Sequence, residues 1–389
     1  MSKLEELIQQ LCPDGVECRN LEECCNILDK KRKPVTKAAR EAGEYRYYGA
    51  NGIQDYVSDY IFDGTFVLVG EDGSVITKAG TPVVTWAEGK IWVNNHAHII
   101  EEKTGVLLRY LFHYIQTIDV TSLIHGNIPK LTGGDFKTLK ISIPPLEIQR
   151  EIIHILDNFT ELTAELTAEL TARTKQYNYY LNTLLVSKCT DKVRALKTVC
   201  LSIADGDHMP PPKADSGVPF ITISNITKNK TIDFSNVMYV PRDYYNKLAD
   251  KRKARQQDVL YTVVGSFGTP VFVSDNTEFV FQRHIAILRP DKKQILPRYM
   301  YFAMQTSDFF KQADKAAKGA AQRTIGLASL GNMKIYVPSL EEQRRIVSIL
   351  DRFDALCNDL TSGLPAEIAA RQKQYEYYRD KLLTFKPLA

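Results

Sequence analysis

Residues 143–159 read IPPLEIQREIIHILDNF, and residues 337–353 read VPSLEEQRRIVSILDRF. The two stretches align without a gap at a constant offset of 194 residues, from position 143 to position 337. Further along, KQYNYYLNTLL at 175–185 matches KQYEYYRDKLL at 373–383 with an offset of 198 residues. Because two long matches in the same order do not arise by chance, we interpret the chain as two divergent copies of one unit.

Both repeated segments have the periodicity of long helices. In the first, apolar side chains such as Ile152, Leu156 and Phe159 recur every three or four residues, the spacing of an amphipathic or coiled-coil helix. We predict one continuous helix over about 146–185 and a second helix that is interrupted by glycine and proline near 361–365. A bundle with a single core is the alternative, and the length of the helices and their position between larger blocks argue against it.

Two variable blocks accompany the repeated segments. They are rich in β-forming residues bounded by glycine and aspartate, so we predict mixed α/β folds with short helices at 104–117 and 297–313. The predicted organisation is a variable block at 1–142, a helical segment at 143–187, a variable block at 188–336 and a helical segment at 337–389. Three weaker matches relate the copies, namely Arg19-Asn20-Leu21 with Arg194-Ala195-Leu196, Asn95-His96 with Arg283-His284, and Leu139-Lys140-Ile141 with Met333-Lys334-Ile335.

The composition is that of a folded protein with a small net charge. The 389 residues are 44% hydrophobic and 25% charged, and the formal charge is +4. At roughly 150 residues per domain, the length predicts two to three domains. No apolar run approaches the ~20 residues that span a bilayer, and the N-terminus has no signal-peptide core. The seven cysteines include no C-x-x-C pair, which argues against a disulfide framework, so we expect a cytoplasmic protein.

The first long helix contains a short internal repeat. Residues 159–173 read FTELTAELTAELTAR, in which Thr163-Ala164-Glu165-Leu166 is followed by the identical Thr167-Ala168-Glu169-Leu170. Four residues slightly exceed one helical turn, so each copy extends the helix by ~6 Å without breaking it. We predict that the repeat is an adjustable spacer, and a neutral helical filler is the alternative. The spacer residues are Thr163, Leu166, Thr167 and Leu170.

The sequence lacks the motifs of enzymes that act on nucleic acids. It contains no GxxxxGK(S/T) phosphate loop and no (D/N)PP(Y/F) loop that would hold a flipped adenine. Two E-x-K tripeptides, at 88–90 and 101–103, are too common in charged chains to indicate a nuclease. His96 and His98 would share one face of a strand, but no cluster of cysteines or carboxylates in the sequence supports a metal site around them. We therefore expect no catalytic residue, no metal and no cofactor in this chain.

With these motifs, the sequence resembles the DNA-specificity (S) subunits of type I restriction–modification systems, in the subgroup with TAEL repeats in the central helix. The resemblance covers essentially the whole chain. It rests on the two (I/V)P-x-LE-x-QR-x-I-x-x-ILD-x-F segments, the two KQY-x-YY-x-x-x-LL tails, SGLPAEIAARQKQYEYYRDKLLTF and TAEL. YYGANGIQDYVSDYIFDG in the first block and GVPFITISNI in the second are similar to target-recognition domains.

The resemblance implies an α+β fold in which two mixed α/β target-recognition domains are separated by two long antiparallel coiled-coil helices, with a pseudo-twofold internal repeat. Each domain would read one half of a bipartite double-stranded DNA site, and the helices would dock two methyltransferase (M) subunits. The chain would be the non-catalytic subunit of the complex. In the partner subunits, S-adenosylmethionine would serve adenine methylation, and restriction (R) subunits would cleave DNA with ATP and Mg²⁺. The alternatives are a specificity chain of a related system outside type I and a coiled-coil scaffold that binds no DNA.

Candidates for DNA contact follow from residue type. Lysine and arginine contact phosphates, while arginine, lysine, asparagine and glutamine read bases in the grooves. In the first block the candidates are Lys30, Lys31, Arg32, Lys33, Lys37, Arg40, Arg46, Tyr47, Asn94, Asn95, His96 and Lys130. In the second block they are Lys228, Lys230, Arg252, Lys253, Arg255, Gln282, Arg283, Gln322 and Arg323. The tyrosines of the tails, at 177–180 and 375–378, either pack the helices or dock M subunits.

Overall fold

The chain divides into two compact units. Unit 1 comprises Met1–Glu165 together with Ile368–Ala389, and unit 2 comprises Leu166–Glu367. The computed structural model describes residues 3–186, 192–206, 211–320, 322–359 and 361–388. The predicted boundary between positions 187 and 188 lies outside the described residues. Among the described residues, no helix is both long enough and apolar enough to cross a membrane.

Unit 1 is built on a mixed β-sheet. Its strands are β1 (Glu17–Asn20), β2 (Asn26–Ile27), β3 (Ala42–Gly49), β4 (Gly52–Val57), β5 (Phe62–Gly70), β6 (Val84–Val93), β7 (Ala97–Glu101), β8 (Ile124–His125), β9 (Lys130–Leu131) and β10 (Lys140–Ile143). The main sheet has the order β2-β7-β5-β6-β3-β4, in which β3 and β6 are parallel and the other neighbours are antiparallel. β1 pairs with β10, and β8 pairs with β9.

Unit 2 contains two smaller sheets. Its strands are β11 (Val193–Ala195), β12 (Cys200–Asp205), β13 (Val218–Ile221), β14 (Met238–Val240), β15 (Val259–Thr262), β16 (Pro270–Phe272), β17 (Val280–Phe281), β18 (Ile285–Pro290) and β19 (Lys334–Tyr336). The order β12-β18-β15-β16 is antiparallel throughout, and β14-β13-β17 includes a parallel pair between β13 and β17. β11 pairs with β19.

The helices confirm the predicted mixed class and the long central helix. They are α1 (Lys3–Leu11), α2 (Leu21–Cys24), α3 (Leu108–Ile115), α4 (Gly133–Lys137), α5 (Leu146–Leu184), α6 (Leu196–Val199), α7 (Arg242–Lys247), α8 (Pro297–Ala303), α9 (Ser307–Ala316), α10 (Leu327–Asn332), α11 (Leu340–Asn358) and α12 (Leu364–Leu382). α5 has 39 residues, so its length is about 58 Å at 1.5 Å per residue.

Two helix predictions need adjustment. The helix expected at 104–117 is shorter, because α3 covers only Leu108–Ile115. The helix expected at 297–313 is two helices, α8 and α9. The hydroxyl of Thr306 accepts a hydrogen bond from the backbone N–H of Phe309, so the threonine caps a new helix where the sequence suggested continuation.

The second helical segment breaks where predicted. α11 ends at Asn358 and α12 begins at Leu364. The carboxylate of Asp359 accepts from the backbone N–H of Thr361 at 2.7 Å, which starts the turn. A Cβ atom on Gly363 would lie 2.5 Å from the carbonyl of Ala355, so the turn returns close to the end of α11 and only glycine fits there.

The sequence repeat is also a repeat of contacts within each unit. Arg19 on β1 lies opposite Ile141, and Arg194 on β11 lies opposite Ile335. The backbone N–H of Leu21 donates to Leu139, and that of Leu196 donates to Met333 in the same way, at 2.9 and 3.0 Å. Two of the weak matches, 19–21 with 194–196 and 139–141 with 333–335, therefore mark structural equivalents.

A buried glutamine at equivalent positions explains part of the strongest repeat. Gln149 is fully buried, and its amide bonds the N–H of Leu107 at 2.9 Å and the carbonyl of Pro144 at 2.8 Å. Gln343 is buried likewise and bonds the N–H of Leu296 at 2.8 Å and the carbonyl of Pro338 at 2.9 Å. Each glutamine joins the start of a long helix to the loop before α3 or α8, which orients the helix against its own unit.

Apolar side chains of the long helices form part of the hydrophobic core of each unit. In unit 1, apolar residues of the first half of α5 pack with α3 and with Tyr375 of α12. In unit 2, the second half of α5 packs with α8, α9 and α11. Phe353 lies beside Tyr177 and Tyr180, and Cys357 lies near Thr174, so α5 and α11 run antiparallel within unit 2.

Candidate nucleic-acid interface

Arg32 lies inside unit 1, with only 12% of its side chain exposed. Its guanidinium donates to the carboxylate of Glu71 at 2.5 Å and to the carbonyl of Ala97 at 2.7 Å, and Asp29 lies 3.4 Å away. Removing an arginine from buried carboxylates leaves those charges unpaired at a large cost. Arg32 therefore holds its own unit together, and we omit it from the proposed DNA contacts.

Two carboxylates lie beside a histidine in this cluster. Atoms of Asp29, Glu71 and His98 lie within 4.8 Å of one another, an arrangement that could hold a metal ion. His98 contacts Asp29 at 2.6 Å and the carbonyl of Leu131 at 3.0 Å. Burial raises the pKa of Asp29, but its hydrogen bond and charge interaction with His98 outweigh this and hold the pKa below its ordinary value. Because Arg32 contacts both carboxylates and Lys130 also approaches Glu71, cationic side chains already occupy this cluster and it is not an open metal site.

Four lysines near this cluster extend into solvent. Lys30 and Lys31 end a short 3₁₀ turn, and Lys33 and Lys37 follow in an exposed segment. The indole N–H of Trp92 donates to the carbonyl of Lys33 at 2.7 Å, which fixes the backbone there. Exposed lysines on a fixed backbone are suited to contact phosphates.

Three other candidates of this block, Tyr47, Arg40 and Arg46, contact neighbouring residues of unit 1. Tyr47 is buried, and the guanidinium of Arg40 lies over its ring at 4.1 Å. Arg40 also pairs with Asp55 at 3.2 Å, and Arg46 donates to the carbonyl of Glu88 at 2.6 Å. Tyr47 cannot reach a base from the core, so we assign it to packing. Arg40 and Arg46 retain donors that a phosphate could accept.

Asn94 shapes the turn between β6 and β7. It is buried, and its carbonyl oxygen accepts from the backbone N–H of His96 at 2.8 Å, while its amide donates to Gln54 at 3.3 Å. Asn95 and His96 are exposed, and His96 forms an ion pair with Asp72 if it is protonated. Asn94 is therefore a positioning residue, and the side chains available to DNA are those of Asn95 and His96.

A hairpin of β8 and β9 lies next to the arginine cluster. Lys130 approaches Glu71 at 3.3 Å, and its side chain is 45% exposed. Ile128 at the tip of the hairpin is also strongly exposed. Because its side chain is nearly half exposed, Lys130 remains accessible to a phosphate although it approaches Glu71.

The basic cluster of unit 2 is bound mainly by neighbouring carboxylates. Arg252 lies 3.6 Å from Asp205, and Arg255 pairs with Asp250. Lys253 donates to a backbone carbonyl at 3.0 Å and lies over the ring of a tyrosine. These side chains are partly or fully exposed, so they remain candidates for phosphate contact through exchange of partners.

Lys228 and Lys230 lie in one tight turn but differ in environment. Lys228 is exposed. Lys230 has a positive φ of 61°, and its ammonium donates to the side chain of Gln305. Burial lowers the pKa of Lys230 below its ordinary value. We retain Lys228 as a candidate for phosphate contact and assign Lys230 to the packing of the turn.

The same turn occurs in unit 1, where it was not predicted. The hydroxyls of Thr77 and Thr81 lie 2.9 Å apart, and those of Thr227 and Thr231 lie 2.8 Å apart. The sequence signal is the similarity of ITKAGTP at 76–82 to ITKNKTI at 226–232. It adds one exposed lysine to the candidate interface, Lys78.

A cavity of about 300 Å³ opens beside the turn between β17 and β18. Its wall is apolar and includes Val263 and Ile325, while its rim carries Arg283, His284 and Gln322. Burial and the neighbouring charge of Arg283 lower the pKa of His284. A cavity with an apolar wall and a polar rim is suited to a flat, partly polar ligand.

Gln282 and Arg323 are the sequence neighbours of two residues that line this cavity, Arg283 and Gln322. The backbone N–H of Gln282 donates to the carbonyl of Ile221 at 3.0 Å. Arg323 pairs with Asp314 at 2.7 Å, and its guanidinium lies over the ring of Phe267 at 5.1 Å. The carbonyl of Gln282 accepts from the N–H of Ile285 on β18 at 2.9 Å, so the backbone of Gln282 bonds to both sheets of unit 2. Arg323 is paired with a residue of α9.

The spacer residues all lie within α5. The hydroxyl of Thr163 donates to the carbonyl of Phe159 at 2.8 Å, and the carbonyl of Thr167 accepts from Thr171 at 2.9 Å. Leu166 is partly buried, and Leu170 packs against the core of unit 2. The helix passes through both TAEL copies without interruption.

The tail tyrosines have three distinct environments, repeated in both units. Tyr177 and Tyr375 are buried, at 3% and 5% exposed. Tyr180 stacks on Phe353, and Tyr378 stacks on the equivalent Phe159. The remaining pair, Tyr179 and Tyr377, are 65% and 61% exposed. Packing therefore accounts for four of these six tyrosines and leaves one exposed aromatic side chain in each copy.

The candidate interface carries cations, amides and aromatic rings. Such groups can neutralise phosphates and donate to base edges, so the arrangement supports recognition of a nucleic acid. The residues that remain available after the internal contacts are assigned are Lys30, Lys31, Lys33, Lys37, Arg40, Arg46, Lys78, Asn95, His96, Lys130, Lys228, Arg252, Lys253, Arg255, Gln282, Arg283, Gln322 and Arg323.

Comparison with known proteins agrees with this chemistry. The sequence matches the family described as "Type I restriction modification DNA specificity domain" at residues 13–176 and again at 192–370. A Haemophilus influenzae protein assigned as a type I restriction enzyme specificity subunit is 37% identical, over 98% of both chains. The specificity subunit of the Escherichia coli type I restriction enzyme EcoR124I/EcoR124II is 32% identical, over 72% of this chain and 71% of that one.

Solved structures resemble the fold. The S subunit of a type I restriction–modification system from M. genitalium aligns with a TM-score of 0.58 at 16% identity, covering 94% of this chain and 96% of that one. A chain from a structural study of complex assembly and conformational transition in the type I R-M system aligns with a TM-score of 0.56 at 18% identity, covering 96% and 98%. At these identities the likeness concerns the fold alone.

Proposed function

The chain belongs to the type I restriction–modification DNA specificity family, and from that premise we propose that it selects the DNA sequence on which a type I complex acts. Each of two target-recognition domains, at 1–142 and 188–336, would bind one half of a bipartite double-stranded site. The helical segments 143–187 and 337–389 would set the gap between the half-sites. The chain itself is non-catalytic, as members of this family are.

One observation supports two-part recognition above the others. The framework of contacts is the same in both units, as the buried Gln149 and Gln343 illustrate, while the exposed polar residues differ. A protein that recognises two different half-sites needs the same backbone framework in both domains and different exposed side chains, because specificity comes from contacts to base edges. The matching of the family at both 13–176 and 192–370 supports the same division.

A binding selection tests the proposal. The chain, co-expressed with M subunits of a type I system, would be incubated with randomised duplex DNA, and the retained DNA would be sequenced. We expect two short conserved blocks separated by a gap of fixed length. A single continuous block, or no enrichment at all, would refute two-part recognition.

We further propose that two M subunits dock on the helices. The exposed Tyr179 and Tyr377 support this, because they occupy equivalent positions and each extends into solvent beside the stacked tyrosine that follows it, Tyr180 or Tyr378. Aromatic residues are enriched at protein interfaces. Tyr179→Ala together with Tyr377→Ala should reduce co-purification of M subunits, whereas Tyr179→Phe together with Tyr377→Phe should preserve it. Unchanged co-purification of the double alanine variant would contradict this assignment.

The partner subunits would supply the chemistry. M subunits would use S-adenosylmethionine to methylate adenine, and R subunits would use ATP and Mg²⁺ to cleave DNA, all in the cytoplasm. A specificity chain of a system outside type I, and a scaffold without DNA binding, are not favoured by the family assignment. Co-purification with separate M and R chains distinguishes the first alternative, and the binding selection distinguishes the second.

The TAEL repeat would determine the length of the gap. Each four-residue copy adds about 6 Å of helix, which is close to two base pairs at a rise of 3.4 Å. Deleting residues 167–170 should shorten the gap by about one or two base pairs and leave both half-sites unchanged. An unchanged gap would refute the spacer role, and an altered half-site would show that the deletion disturbed a recognition domain.

A further inference from the structure

Arg283 differs from the other arginines predicted to contact DNA in unit 2. Arg252, Arg255 and Arg323 each lie beside a carboxylate. Arg283 is exposed and forms no ion pair with any of the described residues. A guanidinium carries five N–H donors in a planar fork, and those of Arg283 are therefore available to a ligand.

The backbone that carries Arg283 is fixed on both sides. The N–H of Gln282 donates to Ile221 at 3.0 Å, and the N–H of Ile285 donates to Gln282 at 2.9 Å. The carbonyl of His284 accepts from Val263 at 2.8 Å. The turn is thus bonded to strands of both sheets of unit 2. A side chain on such a fixed turn can present its donors in one defined direction, as specific readout requires.

The surroundings of Arg283 favour a neutral, flat ligand over a phosphate alone. Gln322 and Thr324 lie on the same cavity rim, and Val264 and Leu327 form part of the apolar wall. Asp205 also lines the cavity, and it lies 3.6 Å from Arg252. Amide and hydroxyl groups beside an arginine, above an apolar surface, match the mixed polar and apolar edge of a base pair.

The equivalent place in unit 1 is closed by charge pairs. Glu71 occupies the position of Val263, because its N–H donates to the carbonyl of His96 at 2.9 Å just as that of Val263 donates to His284. Lys130 and Arg32 both lie beside Glu71. In unit 2 the residue at this position is the apolar Val263, and a cavity of about 300 Å³ lies there although Asp205 in its lining pairs with Arg252. The two units therefore share this framework and differ in what it presents.

We infer that Arg283 reads a guanine in the major groove at the half-site bound by unit 2, with Gln322 beside it as the second specificity-determining residue. The inference rests on the proposed function and names the base and the residue that recognise it. An arginine donates two hydrogen bonds to O6 and N7 of guanine, which is the most common specific contact between a protein and a base.

The test compares the wild-type complex with one that contains Arg283→Ala, using the same randomised duplex library and the M subunits. At one position of the DNA half-site bound by unit 2, we expect the preference for guanine over the other bases to fall by roughly 5- to 150-fold, which is the value of a bidentate contact. The first block and the gap should not change. Arg283→Gln should move the preference at that position toward adenine, because glutamine pairs with adenine N6 and N7.

Arg194→Ala is the matched control. Arg194 is also an exposed arginine of unit 2 without an ion pair among the described residues, but it lies on β11, opposite Ile335. It should leave both blocks unchanged.

Two results would overturn the inference. One is an unchanged sequence preference for Arg283→Ala. The other is a uniform loss of affinity at every base with a smaller salt dependence, which would identify a phosphate contact. If the wild-type complex itself enriches no two-block site, it is the proposed function that fails, so the two failures are distinguishable.

Discussion

Replacing Gln149 with leucine should destabilise unit 1 by about 2–6 kcal/mol. The amide of Gln149 is fully buried and bonds the N–H of Leu107 and the carbonyls of Pro144 and Gly105. Leucine has a similar volume, so the substitution removes these hydrogen bonds without a large cavity. Gly105 is exposed and can bond water, which leaves two groups unsatisfied at about 1–3 kcal/mol each.

The same substitution at Gln343 is the matched comparison. Its amide bonds the N–H of Leu296 and the carbonyls of Pro338 and Gln294, of which Gln294 is exposed. We therefore expect Gln343→Leu to cost unit 2 an amount within about 1 kcal/mol of the cost in unit 1. Gln10→Leu, at an exposed position of α1, should change the free energy of unfolding by less than about 0.5 kcal/mol.

Urea denaturation can assign each effect to its unit. The chain has two tryptophans, Trp86 and Trp92, and both lie in unit 1. Tryptophan fluorescence therefore follows unit 1, while circular dichroism follows the whole chain. Gln149→Leu should move the fluorescence midpoint, and Gln343→Leu should move the dichroism transition more than the fluorescence. A loss below about 1 kcal/mol in both variants would refute the view that these amides satisfy buried groups.

Three further outcomes are expected. Burial lowers the pKa of His113 in the folded state, so on acidification the unfolded chain binds a proton before the folded chain does. The free energy of unfolding should therefore fall as the pH drops below about 6.5. In urea denaturation at several pH values, His113→Gln should make this fall less steep, and an equal slope in both proteins would contradict it. Gly363→Ala places a methyl group against backbone carbonyls of α11 and should lower the melting temperature by several degrees, whereas no change would show that the turn can relax. Burial raises the pKa of Cys25 to about 12, so a thiol reagent at pH 8 should label the exposed Cys18 well before it, and equal rates would argue against the buried position.

Most of the architecture could be predicted because the sequence contains an internal repeat and apolar residues at helical spacing. The long helix was expected at 146–185 and is found at Leu146–Leu184, since apolar side chains at helical spacing need no distant partner to be recognised. The division of 297–313 into two helices was not predicted. It depends on the hydroxyl of Thr306, which caps a helix only when the backbone around it is already in place.

The candidate site was less predictable than the fold. Residue type predicted basic clusters but could not separate Arg32, which is bound by two carboxylates, from exposed lysines only a few positions away. The same limit applied to Tyr47 and Lys230, whose neighbours include the distant residues Trp92 and Gln305. A charged or aromatic residue has no fixed role until its partners are known, because burial and pairing decide whether its donors are available.

The sequence by itself determined the doubling of the unit, the helical segments, the break near position 363 and the family. Local periodicity and self-similarity carry these features, and both are properties of a linear chain. Only the tertiary structure decided which arginines are already neutralised, which tyrosines remain exposed and where a cavity opens in unit 2 but charge pairs close the same framework in unit 1. The physical reason is that ion pairing and burial depend on distances between residues far apart in sequence, such as Arg32 and Glu71 or Gln149 and Leu107.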